Sequence, residues 1–190
     1  RTFEDFGAVG DATTDGRGTD DTAAIQKALD WGFANAGAIH MTSRNFLCGN
    51  ISTYPYTTII GTGRHTSAFI AKSGTSGRWF TDNGNAAKTT LSGIAWYARN
   101  LPNLTAILDL GNKGIQFGTE GIVKDLFLRD AVNGDGLNVN ANVGIFRDIT
   151  VWNCRRGLRV LGNANQLLGI VAMQSGEGSS GAIAGGPAAV

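Results

Sequence analysis

The sequence predicts an all-β chain, a single-stranded right-handed parallel β-helix (solenoid) with an N-terminal capping α-helix. Three observations carry the prediction. First, a short segment occurs four times, at residues 91–99 (LSGIAWYAR), 123–131 (VKDLFLRDA), 146–154 (FRDITVWNC) and 167–175 (LLGIVAMQS). Second, residues 136–140 (GLNVN) are matched 21 residues later by 157–161 (GLRVL), and more loosely by 181–185 (GAIAG). Third, a helical pattern precedes all of these and never recurs. Repeats of roughly 20–50 residues mark solenoids and arrays.

Aligned, the four segments form columns. One reads Ile94, Leu126, Ile149, Ile170, at spacings of 32, 23 and 21 residues. Another reads Trp96, Leu128, Val151, Ala172, and between them run Ala95, Phe127, Thr150, Val171. The next column is Tyr97, Arg129, Trp152, Met173. Alternation with branched and aromatic residues reads as a strand. Each coil then holds at least two strands joined by Asn-, Gly- and Asp-rich turns, with no room for a crossover helix. Parallel pairing stacks equivalent residues roughly 4.8 Å apart. Alternating β-hairpins are the competing arrangement, but hairpins require no register between alternate strands.

The totals fit one domain over residues 1–190, with the cap at 1–37 and the coils at 38–190. A chain of this length buries roughly 70% of its unfolded surface without staples. The net charge of +1 argues against nucleic acid as a partner. The 28 glycines lack a collagen period, so they serve turns. Two cysteines, Cys48 and Cys154, are too few for a disulfide scaffold, and their pairing is left open. No apolar run is long enough to span a bilayer. Asn50-Ile-Ser52 and Asn103-Leu-Thr105 are glycosylation sequons.

In chain order, residues 3–18 are turn chemistry and residues 22–35 a helix. Asp20 or Asp21 supplies its N-cap, and Ala24, Ile25, Ala28, Leu29 and Phe33 form its apolar face. The helix covers the open end of the first coil. The stretch DFGAVGD…TDDTAAIQKALD resembles the N-terminal signature of the pectate-lyase-like superfamily of β-helix proteins. Asp5, Phe6, Gly7, Ala8, Gly10, Asp11, Asp20, Asp21, Thr22, Ala24, Ile25 and Ala28 match, while Ala12 replaces a usual Gly and residues 16–19 lengthen the turn. The resemblance implies the fold, and among functions it admits lyases, hydrolases, epimerases and tailspikes. Asp11, Asp20 and Asp21 read as turn and cap residues rather than an active-site cluster.

Residues 38–63 continue the resemblance, with Ser43-Arg44-Asn45-Phe46 in place of a Pro-Gly-x-Tyr turn. Gly61-x-Gly63 is a turn, since no Lys or helix follows as a phosphate loop requires. Residues 64–88 read as a projecting loop. Residues 99–103 or 111–121 carry an insertion or an additional strand, and residues 106–110 a strand with Asp109 on its outer face.

Chemistry is expected after the repeated strand. There Asp130, Asn153 and Gln174 stack at a corner, with Arg129, Trp152 and Met173 facing outward beside them. Arg155, Arg156, Asp135 and Glu177 occupy the adjoining turns. Amides and carboxylates bond hydroxyls and a flat ring stacks on a sugar face, as a polysaccharide groove needs. Glycoside hydrolysis uses two carboxyl groups, for which Asp130, Asp135 and Glu177 are the candidates. Arg129, Trp152, Asn153, Arg155, Arg156 and Gln174 are the candidate substrate-binding residues. β-Elimination at a uronate is the second mechanism, although arginine makes a poor base. No cofactor is expected. Asp125 and Asp148 share a column, and ion pairing with Lys124 and Arg147 is preferred there to bridging Ca2+.

The chain lacks the paired-Asp and Gly-His-Gly pattern of polygalacturonase-type hydrolases and the Asp-Pro-His-Glu pattern of mannuronan epimerases. Residues 179–190 begin a coil without a cap, which predicts the N-terminal part of a longer protein or an assembly. The expected partners are a polysaccharide substrate and, at the open end, a second β-helix domain, another chain or two further copies in a trimer. Nucleic acid and a membrane span are not expected. The expected function is a secreted enzyme cleaving glycosidic bonds, with hydrolysis as in two-solenoid β-1,3-glucanases ahead of elimination. A non-catalytic or tailspike-type glycan-binding β-helix, on a virion surface, and a structural assembly module are the alternatives.

Overall fold

The computed structural model describes residues 1–82, 88–110, 121–140, 144–161, 166–173 and 184–185. The described residues trace six coils. The first holds β1 (Ile39–Met41), β2 (Asn45–Cys48) and β3 (Ile51–Thr53), and the second β4 (Thr58–Gly61), β5 (Ala68–Ala71) and β6 (Gly77–Asp82). The third holds β7 (Thr90–Tyr97) and β8 (Leu104–Leu110), and the fourth β9 (Ile122–Arg129) and β10 (Asp135–Asn140). The fifth holds β11 (Ile145–Trp152) and β12 (Arg156–Leu161). Of the sixth, β13 (Gln166–Leu168), β14 (Val171–Met173) and β15 (Ala184–Gly185) are described. β1, β2, β4, β5, β7, β9, β11, β13 and β14 form one wall, the A sheet. β3, β6, β8, β10, β12 and β15 form the facing B sheet. Every ladder is parallel.

The register is the one the repeats predict. Ile94 pairs with Leu126 and Leu126 with Ile149, while Trp96, Leu128, Val151 and Ala172 stack in turn. Leu137 lies on Leu158 in the B sheet. The last match slips by one residue: Ala184 pairs with Arg159, where the GAIAG alignment places Val160.

A stacked bend explains the strand pattern. In β7, β9 and β11 the large core positions are Leu91, Ile94 and Trp96, then Val123, Leu126 and Leu128, then Phe146, Ile149 and Val151. The first gap is three residues rather than two, because Gly93, Asp125, Asp148 and Gly169 take positive φ of 68°, 52°, 55° and 60°. Gly and Asp tolerate that region, and one such residue turns the strand without breaking the inward column.

The core column tapers. Phe46, Phe69 and Trp96 stack in register below Leu128, Val151 and Ala172. Phe3 packs edge-on against Phe46 and Phe69 at 5.5 and 5.7 Å. Burying each such ring contributes roughly 1.5–3 kcal/mol.

The helix spans Thr22–Asn35, as expected, and buries Ile25, Ala28 and Leu29 against the first coil. Phe33 departs from the expected apolar face: it is 51% exposed and stacks on Tyr54 at 4.9 Å. The two aspartates divide their work. Asp20 accepts the Thr22 N–H at 3.1 Å and the Lys72 ammonium at 2.6 Å. Asp21 is buried, and its two oxygens accept the Val9 and Gly10 N–H groups at 2.7 and 3.1 Å. Asp11 accepts the Thr19 N–H at 2.7 Å. These are the turn and cap roles read from the sequence. Bridges Thr2 to His40, Asp11 to Asn45 and Asp20 to Leu47 make the N-terminal segment a half-coil beneath β1 and β2.

Two expectations are corrected. Residues 64–82 are not a projecting loop: they contain β5 and β6, and Trp79 and Phe80 lie in the core, while residues 83–87 lie outside the described residues. Their short apolar runs are separated by the polar turn around Thr75, which disguises them. Residues 99–103 carry no extra strand. Six residues join β7 to β8 and five join β9 to β10, so the surplus of the third coil falls within 111–121, most of it outside the described residues. The strand at 106–110 is present as part of β8. Asp109 shares a column with Thr81, Asn138 and Arg159 but is fully buried, ion-paired to Arg78 at 2.6 Å and accepting from Asn138.

Both cysteines are free and buried. Burial raises both thiols, Cys48 far and Cys154 to about 12. Neither should react with a thiol reagent in the native protein, and both should react in denaturant. Labelling of either native thiol at neutral pH would contradict this packing. No helix among the described residues is long and apolar enough to cross a membrane.

Candidate functional site

The outward face of the A sheet carries two register columns. One is Asn45, Ala68, Ala95, Phe127, Thr150 and Val171. The other is Leu47, Ile70, Tyr97, Arg129, Trp152 and Met173. The N-terminal turn lies over the lower part, where Ala12 packs on Leu47, Ala68, Ile70 and Ala95. Above it the face is open, with Trp152 41% and Met173 40% exposed. Arg129, Trp152 and Met173 therefore stack as expected.

At the C-terminal end of these strands the chain turns through positive-φ residues, Arg99 and Asn100, Asp130, and Asn153. Asp130 N–H donates to the Trp152 carbonyl, and Asn153 N–H to that of Met173. The Asn153 amide donates to Asp130 Oδ1 at 3.0 Å and to Asn100 Oδ1 at 3.3 Å. The stacked corner is thus real for Asp130 and Asn153 and reaches back to Asn100. Gln174 and Glu177 lie outside the described residues.

A cleft of about 310 Å³ opens beside this corner, lined by Thr14, Asp15, Tyr97, Arg99, Asn100, Arg129 and Asp130. Arg129 lies over the Tyr97 ring at 5.1 Å and pairs with Asp130 at 2.6 Å. Arg99 donates to the Ala71 carbonyl and packs against Gly16 of the N-terminal turn. Asp15, on that turn, accepts from the Thr13 hydroxyl and pairs with Arg17 at 2.8 Å, and these contacts hold its carboxyl below the ordinary value. Thr14, Asp15, Arg99 and Asn100 were not among the expected site residues. The Asn100–Asp130–Asn153 spacing was an available signal, while the approach of Asp15 depends on how the turn folds back.

Asp135, Arg155 and Arg156 form a separate cluster. Asp135 is buried and accepts two bonds from Arg156, at 2.7 and 2.8 Å, and one from Arg155 at 3.3 Å. The carboxylate raises the Arg156 guanidinium above its already high value. This clamp joins the fourth and fifth coils and occupies both Asp135 oxygens. None of the three lines the cleft.

Asp125 pairs with Arg64 at 3.4 Å and Asp148 stands 4.0 Å from Arg147. The Arg64 guanidinium also donates to the Asp148 carbonyl and the Thr150 hydroxyl, so one side chain ties the second coil to the fourth and fifth. Among the described residues no group of His, Cys, Asp and Glu is arranged to hold a metal.

No family model matches the chain, and no curated protein matches it. Among solved structures, the A-module of the Azotobacter vinelandii mannuronan C-5 epimerase AlgE6 is similar, at 19% identity and a TM-score of 0.48. The match covers 90% of this chain and 55% of that one, so the chain spans about half its length. At that identity and score the likeness carries no functional weight.

Proposed function

We propose that this chain is a carbohydrate-active β-helix that binds a polysaccharide on the outward face of the A sheet and hydrolyses its glycosidic bonds at the Asp130 corner. One observation carries the reading: an exposed Trp152 in register with Arg129 and Tyr97, beside the Asn100–Asp130–Asn153 ladder, with Tyr97, Asn100, Arg129 and Asp130 lining a cleft. A flat ring offers a sugar face its apolar partner, and the amides, carboxylate and guanidinium bond its hydroxyls. Such a convergence of apolar and polar groups is the form of a small-molecule or saccharide site. The N-terminal resemblance to pectate-lyase-like β-helices agrees, and such a substrate places the protein outside the cell.

Within hydrolysis, Asp130 is the candidate to activate water, because its carboxylate lines the cleft beside Arg129. Asp15, held low, suits charge stabilisation rather than proton donation. Glu177 is the candidate acid. Elimination is less well served: the nearest cations are guanidiniums, which neutralise carboxylates but do not abstract protons. A second reading, glycan binding without turnover, is favoured by the engagement of both cleft carboxylates with cations or hydrogen-bond donors.

Trp152→Ala should weaken polysaccharide retention at least about tenfold while the chain stays folded, since the residue is 41% exposed. Asp130→Asn should abolish release of reducing ends yet keep binding. Release of unsaturated uronates instead would establish elimination. Binding with neither product would establish the non-catalytic reading, and no binding to any polysaccharide would remove the proposal.

A further inference from the structure

A second cleft, of about 560 Å³, lies on the opposite side of the N-terminal turn. Gly10, Asp11, Ala12, Ser43, Arg44, Asn45, His65 and Thr66 line it. Its rim is dense in hydroxyls: Ser43 and Thr66 each bond Thr62 at 2.9 Å, and Thr62 bonds Ser67 at 2.9 Å. Ser43, Arg44, His65 and Thr66 are all exposed. Arg44 is fixed by Glu4 at 3.5 Å and by the Val9 carbonyl at 3.1 Å, so its guanidinium is presented on a rigid stem.

Side-chain contacts link the linings of the two clefts. His65 packs on Phe127 at 6.0 Å, Phe127 on Tyr97 at 6.1 Å, and Tyr97 lies under Arg129 at 5.1 Å. Ring contacts, tilted at 49° between His65 and Phe127 and edge-to-face at 83° between Phe127 and Tyr97, thus run from one cleft toward the other. The turn carrying Ala12, Thr14 and Asp15 touches both clefts and forms a common wall.

We infer that this second cleft is a further glycan subsite, and that one extended polysaccharide chain crosses the A sheet from His65 to Asp130, transverse to the solenoid axis. The inference rests on the glycan-binding reading above. Hydroxyl and amide donors with only modest charge fit the hydroxyl groups of sugar units rather than a dense anion. The run of ring contacts gives sugar units an apolar strip of ring edges to pack on between the two clefts. The long groove makes affinity depend on chain length, because the second cleft adds contacts only when the saccharide reaches it.

The test uses the whole chain and a panel of β-glucan, xylan, mannan, polygalacturonate and alginate in affinity electrophoresis, followed by calorimetry with a size-graded oligosaccharide series of each retained polymer. Affinity should rise with length over several units. His65→Ala and Ser43→Ala, at exposed positions, should each remove at least about threefold, and together about tenfold, of the affinity for the long oligomers. They should leave the shortest binding oligomer unaffected. The hydroxyl ladder gives Ser43 a structural bond, so His65→Ala is the decisive variant and its thermal midpoint the control. Wild-type affinity at every length in His65→Ala, beside loss of binding in Trp152→Ala, would overturn the second subsite and leave the proposed function standing. Retention of none of the five polymers would overturn both.

Discussion

Replacing Asp21 by alanine should destabilise the chain by about 2–4 kcal/mol and weaken binding at the cleft in the molecules that stay folded. Asp21 is 1% exposed, and its two oxygens hold separate N–H groups, of Val9 and of Gly10. Removing the side chain leaves the buried Gly10 N–H and the part-buried Val9 N–H without their acceptor. Asp21→Asn keeps one acceptor and turns an N–H toward the other donor, so it should cost less than alanine but still about 1–2 kcal/mol. The clamp fixes the segment that runs on through Ala12, Thr14 and Asp15, so its loss should loosen one wall of both clefts. Urea titration measures the first effect and saccharide calorimetry the second. The pH dependence has a definite sign. Burial raises the Asp21 carboxyl against the pull of the two amides, so the folded chain takes up a proton where the unfolded chain does not. As pH falls toward 3.8, the ordinary value of this carboxyl, wild type should gain stability relative to Asp21→Asn. Asp20 works the other way. Lys72 and Thr22 hold its carboxyl low, so its contribution is present above 3.8 and lost as pH falls further. An alanine variant as stable as wild type would show that the segment needs no clamp.

The same side chain shows what the sequence could convey. Its position in a DDT motif before a helical pattern pointed to an N-cap, but only the neighbour Asp20 bonds a helix N–H. The two carboxylates are adjacent in sequence and face different partners, a choice made by the folded-back turn. The middle coils were legible because each contributes one unbroken eight-residue strand whose large inward residues repeat. The first two coils were not, because residues 42–44 in the first and 62–67 in the second interrupt the A-sheet strand and leave pieces of three or four residues, too short to show a period. Trp152 and Arg129 were found by register alone. Asp15 and His65 were not, since each reaches the face from a loop whose path depends on packing against distant coils. The bend column was present in the alignment as Gly93, Asp125, Asp148 and Gly169, but its meaning lies in backbone dihedrals, which alternation of side chains does not encode.

The core makes the other large prediction. Trp96→Ala should cost about 3–5 kcal/mol, enough to unfold a chain of ordinary stability in mild denaturant. Trp96 is fully buried, in register between Phe69 and Leu128, and touches Phe69 at 5.4 Å and Phe80 at 5.7 Å. Both sheets meet at this ring, so a cavity here removes contacts from the A sheet and the B sheet together. The indole N–H has no hydrogen-bond acceptor among the described residues. That makes the series of substitutions informative. Phenylalanine removes the unpaired donor along with part of the volume, so the two effects oppose each other and Trp96→Phe should cost no more than about 1 kcal/mol. Leucine reproduces the residue one coil above and should fall between the two. Circular dichroism during urea unfolding gives the order directly: phenylalanine above leucine, leucine above alanine. If phenylalanine were as damaging as alanine, the indole N–H would have to hold a bond, and the packing of the aromatic column would need a different account.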